Sequence, residues 1–148
     1  MNQVREQIFE KCERAGYKIA SFIHSTVVDY SESIGIGNII LENVKLQPFS
    51  KVGKGNIIQH FTLVSHEATV GDFNYFGGNV HLAGLSSVSH HCFLGINSLV
   101  QNTIKLAPYT LVGATVCVNA DTEEATVIAP AQNRIIKTKV NAMDIFLR

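Results

Sequence analysis

The chain has 148 residues, 46% of them hydrophobic and 16% charged, with no net charge when histidine is neutral. That length bounds one domain with a true core, and the balance excludes both a disordered chain and a basic nucleic-acid-binding surface. No apolar run approaches the ~20 residues of a membrane span, and the opening stretch MNQVREQIFEKCERAG has no signal-peptide core.

Residues 2–15 come first, with Val4, Ile8, Cys12 and Ala15 at helical spacing, and Gly16 is placed to stop the helix. From Phe22 the period changes to six. Phe22, Val28, Ile34, Ile40, Leu46, Val52, Ile58, Val64, Val70, Phe76, Leu82, Val88, Leu94, Val100, Leu106, Val112 and Val118 are all apolar. The residue two before each is mostly small, as at Ser50, Asn56, Thr62, Ala68 and Ser86. Neither a helix nor an ordinary strand repeats at six. A short strand followed by a bend does, and three such faces close one triangular coil of eighteen residues. Glycine just after the large residue, at Gly35, Gly53, Gly71, Gly77, Gly95 and Gly113, is expected to supply the backbone freedom of the bend. The phase reads as unbroken from Phe22 to Val118. Asn119–Ala125 then reads as a loop, Thr126–Ile128 as one more short strand before Pro130, and 134–148 as a covering segment. Stacked coils bury surface only against neighbours, so the N-terminal helix and the C-terminal segment are both expected to cover ends.

This pattern resembles the hexapeptide-repeat acyltransferases, and narrows at SHEATVGDF (65–73), HLAG (81–84) and HCFLGINSLV (91–100) to the sialic acid O-acetyltransferase and nucleotide-sugar N-acetyltransferase group. The resemblance spans about 17–137. It implies an all-β fold, a left-handed parallel β-helix, with a capping helix at 1–16, the acyltransferase domain at 17–137 and a tail at 138–148. It also implies acetyl transfer from acetyl-CoA to an amine or hydroxyl of a sugar or nucleotide-sugar acceptor in bacterial glycan synthesis. A homotrimer with CoA between neighbouring prisms follows from the same likeness. The group usually begins with a nucleotide-sugar-binding domain, which is expected to be missing here.

Within SHEATVG the resemblance makes His66 the general base and Glu67 the carboxylate that orients it. His66 stands two residues past Val64, an outward site, so a solvated surface histidine is the plain alternative. Gly84 follows His66 by eighteen residues, the same site one coil on, where a backbone N–H can face an oxyanion or the residue can be a simple bend glycine. The resemblance assigns acetyl-CoA contacts to Tyr75, Ile96 and Ala114, where relatives often have His at the first and Gly at the last. Ordinary wall and bend residues are the alternative. Arg134 or Lys137 can meet CoA phosphates or be solvated charges.

The other histidines carry less. His24 and His60 are two coils apart and are expected to stack on one face, and His60 is a candidate for the acceptor pocket. His81, His90 and His91 read as surface or interface residues, Asp72 and Asn74 as bend residues. A zinc hydratase like the γ-class carbonic anhydrases needs a histidine pair five residues apart, which the sequence lacks, so no metal is expected. A catalytically silent β-helix serving as a binding or assembly module is the other alternative. Three widely spaced cysteines, Cys12, Cys92 and Cys117, offer neither a metal pair nor a disulfide framework, so a reducing cytoplasm is expected.

Overall fold

The computed structural model describes residues 2–131, so the covering-segment reading and the assignments to Arg134 and Lys137 lie outside the described residues. A helix, α1 (Asn2–Arg14), is followed by two-residue strands from Phe22–Ile23 to Val127–Ile128. They stack as three parallel sheets, the faces of a β-helix of about six coils. The first face holds Phe22–Ile23, Ile39–Ile40, Ile57–Ile58, Tyr75–Phe76, Phe93–Leu94, Leu111–Val112 and Val127–Ile128. The second holds Val28–Asp29, Lys45–Leu46, Leu63–Val64, His81–Leu82, Leu99–Val100 and Cys117–Val118. The third holds Ser33–Ile34, Lys51–Val52, Thr69–Val70, Ser87–Val88 and Lys105–Leu106.

The six-residue rule works because only one residue of each strand points in. From Ile40 to Val118 every large site is at most 3% exposed, each burial contributing roughly 1.5–3 kcal/mol. From Asn38 to Val116 the sites two before them are buried too, apart from Ile104. On the corner between the third and first faces they form a polar column. Asn56 N donates to Asn38 Oδ1, Asn74 N to Asn56 Oδ1, and Cys92 N to Asn74 Oδ1, at 2.8, 2.8 and 2.7 Å. Each amide carbonyl thereby satisfies a buried N–H that no strand pairing reaches.

The phase is not unbroken. Phe22 pairs with Ile39 and Val28 with Lys45, steps of seventeen, whereas Ser33 pairs with Lys51, a step of eighteen. Ile23 therefore lies in line with Ile40, and Phe22 and Val28 face outward, 54% and 39% exposed. Asp29 causes the slip. Its Oδ1 accepts Ser31 N at 2.9 Å and Ser31 Oγ at 2.6 Å, closing that corner one residue early. At the other end, Asn119–Ala125 forms no strand, as expected. Asp121 Oδ1 and Thr122 Oγ1 instead accept Lys105 N and Ala107 N, both at 2.8 Å, in place of a further strand on the third face. Val127–Ile128 then rejoins the first face beside Leu111–Val112.

The bend also has a different origin from the one read from the glycines. From Gly37 onward the left-handed residue is the third of the corner, and among the described residues thirteen non-glycine residues hold it at φ between 53° and 66°, Phe49, Phe61, Glu67 and Leu85 among them. Gly35, Gly53, Gly71, Gly77, Gly95 and Gly113 are not in that conformation. They are needed because coils touch there: a β-carbon on Gly35 would stand 2.7 Å from the Gly53 carbonyl carbon, and one on Gly71 2.7 Å from Ser89 O.

The helix α1 ends where expected. Gly16 takes φ +82°, Tyr17 N donates to Cys12 O and Gly16 N to Glu13 O, which satisfies the last carbonyls. Its packing face differs from the apolar stripe. Val4 and Ile8 are more than half exposed, and the helix docks through Asn2, Arg5, Glu6 and Phe9. Arg5 donates to the carbonyls of Gly55, Phe73 and Asn74, and Asn2 to those of His91 and Cys92. Phe9 packs edge-on to Phe73 at 5.4 Å, in space left by the missing side chain of Gly37. The helix thus runs along one edge of the prism, across several coils, rather than across its end. A corner lined with carbonyls rewards hydrogen-bond donors, not aliphatic side chains.

Candidate active site

His66 sits on the corner between the second and third faces. The strand Leu63–Val64, held between Lys45–Leu46 and His81–Leu82, fixes its height on the prism. Its backbone is clamped from both sides. His66 N donates to Gln47 Oε1 at 3.0 Å, Glu67 N to Pro48 O at 3.1 Å, and Leu85 N to His66 O at 3.1 Å. Gln47 was not singled out by sequence. The eighteen-residue step would have found it, because it places Pro48 one coil before His66, with Gln47 beside Pro48.

The imidazole faces outward. Its Nδ1 lies 3.3 Å from Glu67 Oε2, with the two side chains 54% and 52% exposed. Glu67 reaches back because its own backbone is left-handed, at φ 56°. A proton on Nδ1 directed at this carboxylate leaves the Nε2 lone pair for another partner, a tautomer assigned from geometry. At this exposure the pair adds little to stability, and its effect is on orientation.

Gly84, one coil on, lies under the same ring. A β-carbon there would overlap His66 Nε2 and Cε1 and stand 3.1 Å from Cδ2, so the ring can occupy this position only above a glycine. Gly84 N donates to no acceptor among the described residues. The structure therefore brings His66, Glu67 and Gly84 together.

Tyr75, Ile96 and Ala114 are elsewhere. Ile96 and Ala114 stack on the corner between the first and second faces, where Thr115 N donates to Ile96 O, and neither of their own amides is paired within the described residues. Tyr75 lies on the first face beside that corner. Its ring stacks on Phe93 at 4.9 Å and 5°, and its hydroxyl accepts Gln59 Nε2 at 3.3 Å. Adjacent corners are six residues apart, up to about 20 Å of extended chain. Within one prism the two groups therefore stand on different corners.

The remaining candidates resolve individually. The phase slip puts His24 in line with Gln59 rather than His60, so the expected stack is absent. His60 instead lies over Gly78, whose β-carbon would be 2.9 Å from His60 Nε2. His81 Nε2 meets Ser65 Oγ at 3.4 Å. His91 is not a surface residue: its side chain is 4% exposed, between the rings of Phe73 and Tyr109 and 3.0 Å from Glu6 Oε2 of α1. Asp72 is a bend residue, its Oδ1 accepting Lys54 N, and Asn74 belongs to the buried column. Among the described residues, no group of three or more His, Cys, Asp or Glu side chains is placed to hold a metal, and no helix is long and apolar enough to cross a membrane.

This architecture is a hexapeptide-repeat β-helix, the fold of CoA-bound sugar N-acetyltransferases. No family model matches the chain. Among solved structures it is similar to PerB from Caulobacter crescentus in complex with CoA and GDP-perosamine, at 25% identity and a TM-score of 0.84, covering 87% of this chain and 63% of that one. The acetyltransferase domain of PglB from Neisseria gonorrhoeae FA1090 matches at 21% and 0.83, covering 87% and 63%. WeeI from Acinetobacter baumannii AYE matches at 19% and 0.83, covering 91% and 66%. The chain thus spans a little under two thirds of the length of these proteins.

Proposed function

We infer that the protein is an acetyl-CoA-dependent acetyltransferase acting on an amine or hydroxyl of a sugar, of nucleotide-linked amino-sugar or sialic acid type, in bacterial surface glycan synthesis. The observation that carries this reading is the His66 imidazole held outward over Gly84 with Glu67 at its Nδ1. The likeness to PerB, crystallised with CoA and GDP-perosamine, supports the substrate class.

In this mechanism His66 Nε2 takes the proton of the acceptor's amine or hydroxyl as that atom bonds to the acetyl carbonyl carbon. Charge developing on the carbonyl oxygen is met by the Gly84 N–H. The carbon–sulfur bond then breaks, and the imidazolium returns its proton to the departing thiolate of CoA. Glu67 holds the ring's orientation throughout. Tyr75, Ile96 and Ala114 contact CoA from the other corner, which requires a second chain. The working form is a homotrimer with three shared sites, acting in the cytoplasm.

The test is acetyl-CoA turnover against a panel of nucleotide amino sugars and sialic acid, with His66→Ala beside the wild type. Turnover is expected to fall about 10²–10⁴-fold in the variant, while stabilisation against heat by CoA persists. Undiminished turnover in His66→Ala would remove the base from the mechanism. Absence of both turnover and CoA stabilisation in the wild type would favour a binding module.

A further inference from the structure

His60 and His66 are a structurally repeated pair. Each stands two residues past an inward aliphatic, Ile58 or Val64, and each precedes a left-handed residue, Phe61 at φ 60° or Glu67 at φ 56°. Both carbonyls accept the amide of the residue nineteen further on, Asn79 N at 2.9 Å and Leu85 N at 3.1 Å. Both rings lie over a glycine of the next coil, Gly78 or Gly84, whose amide is unpaired among the described residues. Both residues are exposed. They differ in one respect: Glu67 meets His66 Nδ1, whereas neither ring nitrogen of His60 has a hydrogen-bond partner among the described residues, and its ring meets only the edge of Phe61, at 5.6 Å.

The two histidines belong to one coil and flank one face, the one carrying Leu63–Val64. Within one prism they stand on different corners, at the two edges of that face. Rotation about an axis parallel to the prism keeps every residue at its own height. If the second face of each copy looks toward such an axis, the His66 corner of one copy meets the His60 corner of the next, and the two rings meet at one level. Ile96 and Ala114 lie one and two coils beyond Gly78 on the His60 corner, so the same arrangement completes the CoA side of the site.

We propose that His60 of one copy faces His66 of its neighbour across the shared groove and positions the acceptor sugar there. This rests on the acetyltransferase reading above. A neutral imidazole donates from one nitrogen and accepts at the other, which suits a sugar hydroxyl next to the attacking group. His66 takes the proton, and His60 holds the molecule that loses it.

Two measurements decide it. In kinetics, His60→Ala is expected to raise the acceptor KM about tenfold or more with the KM for acetyl-CoA unchanged, and His60→Asn, which keeps a donor and an acceptor, to recover part of the loss. Co-expression of His60→Ala chains with His66→Ala chains then gives mixed trimers in which about one quarter of the interfaces pair an intact His66 with an intact His60. Assayed with acceptor well below the wild-type KM, where His60→Ala retains about a tenth of the activity, the mixture is expected to exceed His60→Ala alone roughly two- to threefold and His66→Ala by far more. An unchanged acceptor KM in His60→Ala overturns the proposal, as does absence of complementation in the mixture. The second measurement needs no turnover. In a Cys12→Ser, Cys117→Ser background, chains carrying His60→Cys are mixed with chains carrying His66→Cys and treated with a short thiol cross-linker. A cross-link between the two kinds of chain is expected, and its absence overturns the juxtaposition. If the cross-link forms but the wild type transfers no acetyl group, the acetyltransferase reading fails and the facing of the two histidines stands.

Discussion

Gly84→Ala tests the placement of the base without touching it. The glycine is not in the left-handed region, so its backbone accepts a side chain. What the new methyl meets is the His66 ring, with Nε2 and Cε1 overlapped and Cδ2 at 3.1 Å. Ordinary carbon contacts lie near 3.5–4.0 Å, so the ring must withdraw by about 1 Å or swing to another rotamer. Because the His66 side chain is 54% exposed, it can do so at a stability cost below about 1 kcal/mol. Chemistry is less forgiving. A base displaced by about 1 Å loses on the order of 10²-fold in rate, equivalent to about 2.7 kcal/mol of barrier. The assay is steady-state acetyl transfer on the acceptor found for the wild type, paired with a thermal melt. A melt within a few degrees of wild type together with a hundredfold fall in kcat is expected. Turnover within twofold of wild type would refute the argument that the ring must sit over Gly84 to act.

Asn74→Ala is expected to destabilise the protein by roughly 2–4 kcal/mol in urea unfolding, because it strips Cys92 N of its acceptor and deletes the bond to Ser89 O, leaving buried groups unpaired. Phe9→Ala should release α1 while the coils stay folded, which limited proteolysis reads as cleavage confined to the first twenty or so residues. Burial raises the Cys92 thiol to about 11. The folded state therefore keeps a proton that the unfolded chain surrenders near its ordinary value, and stability is full below that value and lost as pH rises toward 11. A melting temperature that falls over this window in the wild type but not in Cys92→Ala checks the assignment. In the native state Cys117, exposed, should react with thiol reagents while Cys92 does not.

The six-residue period was legible because each coil buries one large residue per face, and Ile34 to Val118 follow it without exception. It misled at Phe22 and Val28, where an aspartate side chain shortened a corner and left an equally apolar residue, Ile23, to point inward. Hydropathy cannot choose between Phe22 and Ile23; the hydrogen bonds of Asp29 do. The stripe of Val4 and Ile8 misled for the opposite reason, since the surface receiving the helix is polar. Glycines were correctly seen as special but assigned to torsion, when their role is close approach between coils. At the site, the eighteen-residue step placed Gly84 beside His66. The same step relates His60 to Gly78, and that repeat was in plain view. The height of His91 beneath α1 was not, because it depends on where a separate helix comes to rest.

Residues such as Phe49, Phe61 and Leu85 are bulky side chains in a backbone state that isolated residues avoid, at a cost of roughly 1–2 kcal/mol each. No turn of the spiral would keep that geometry alone; Phe61 N and Leu85 N are tied to the turn before, and the carbonyls of His60, Pro48 and Gly84 to the turn after. Opening should therefore spread inward from the two termini, like a stack of plates losing its outermost members. The turn bearing His66 has several others on either side. Amide exchange should be slowest around Val64 and Leu82, and the proposed base should keep its station while the extremities of the spiral come and go.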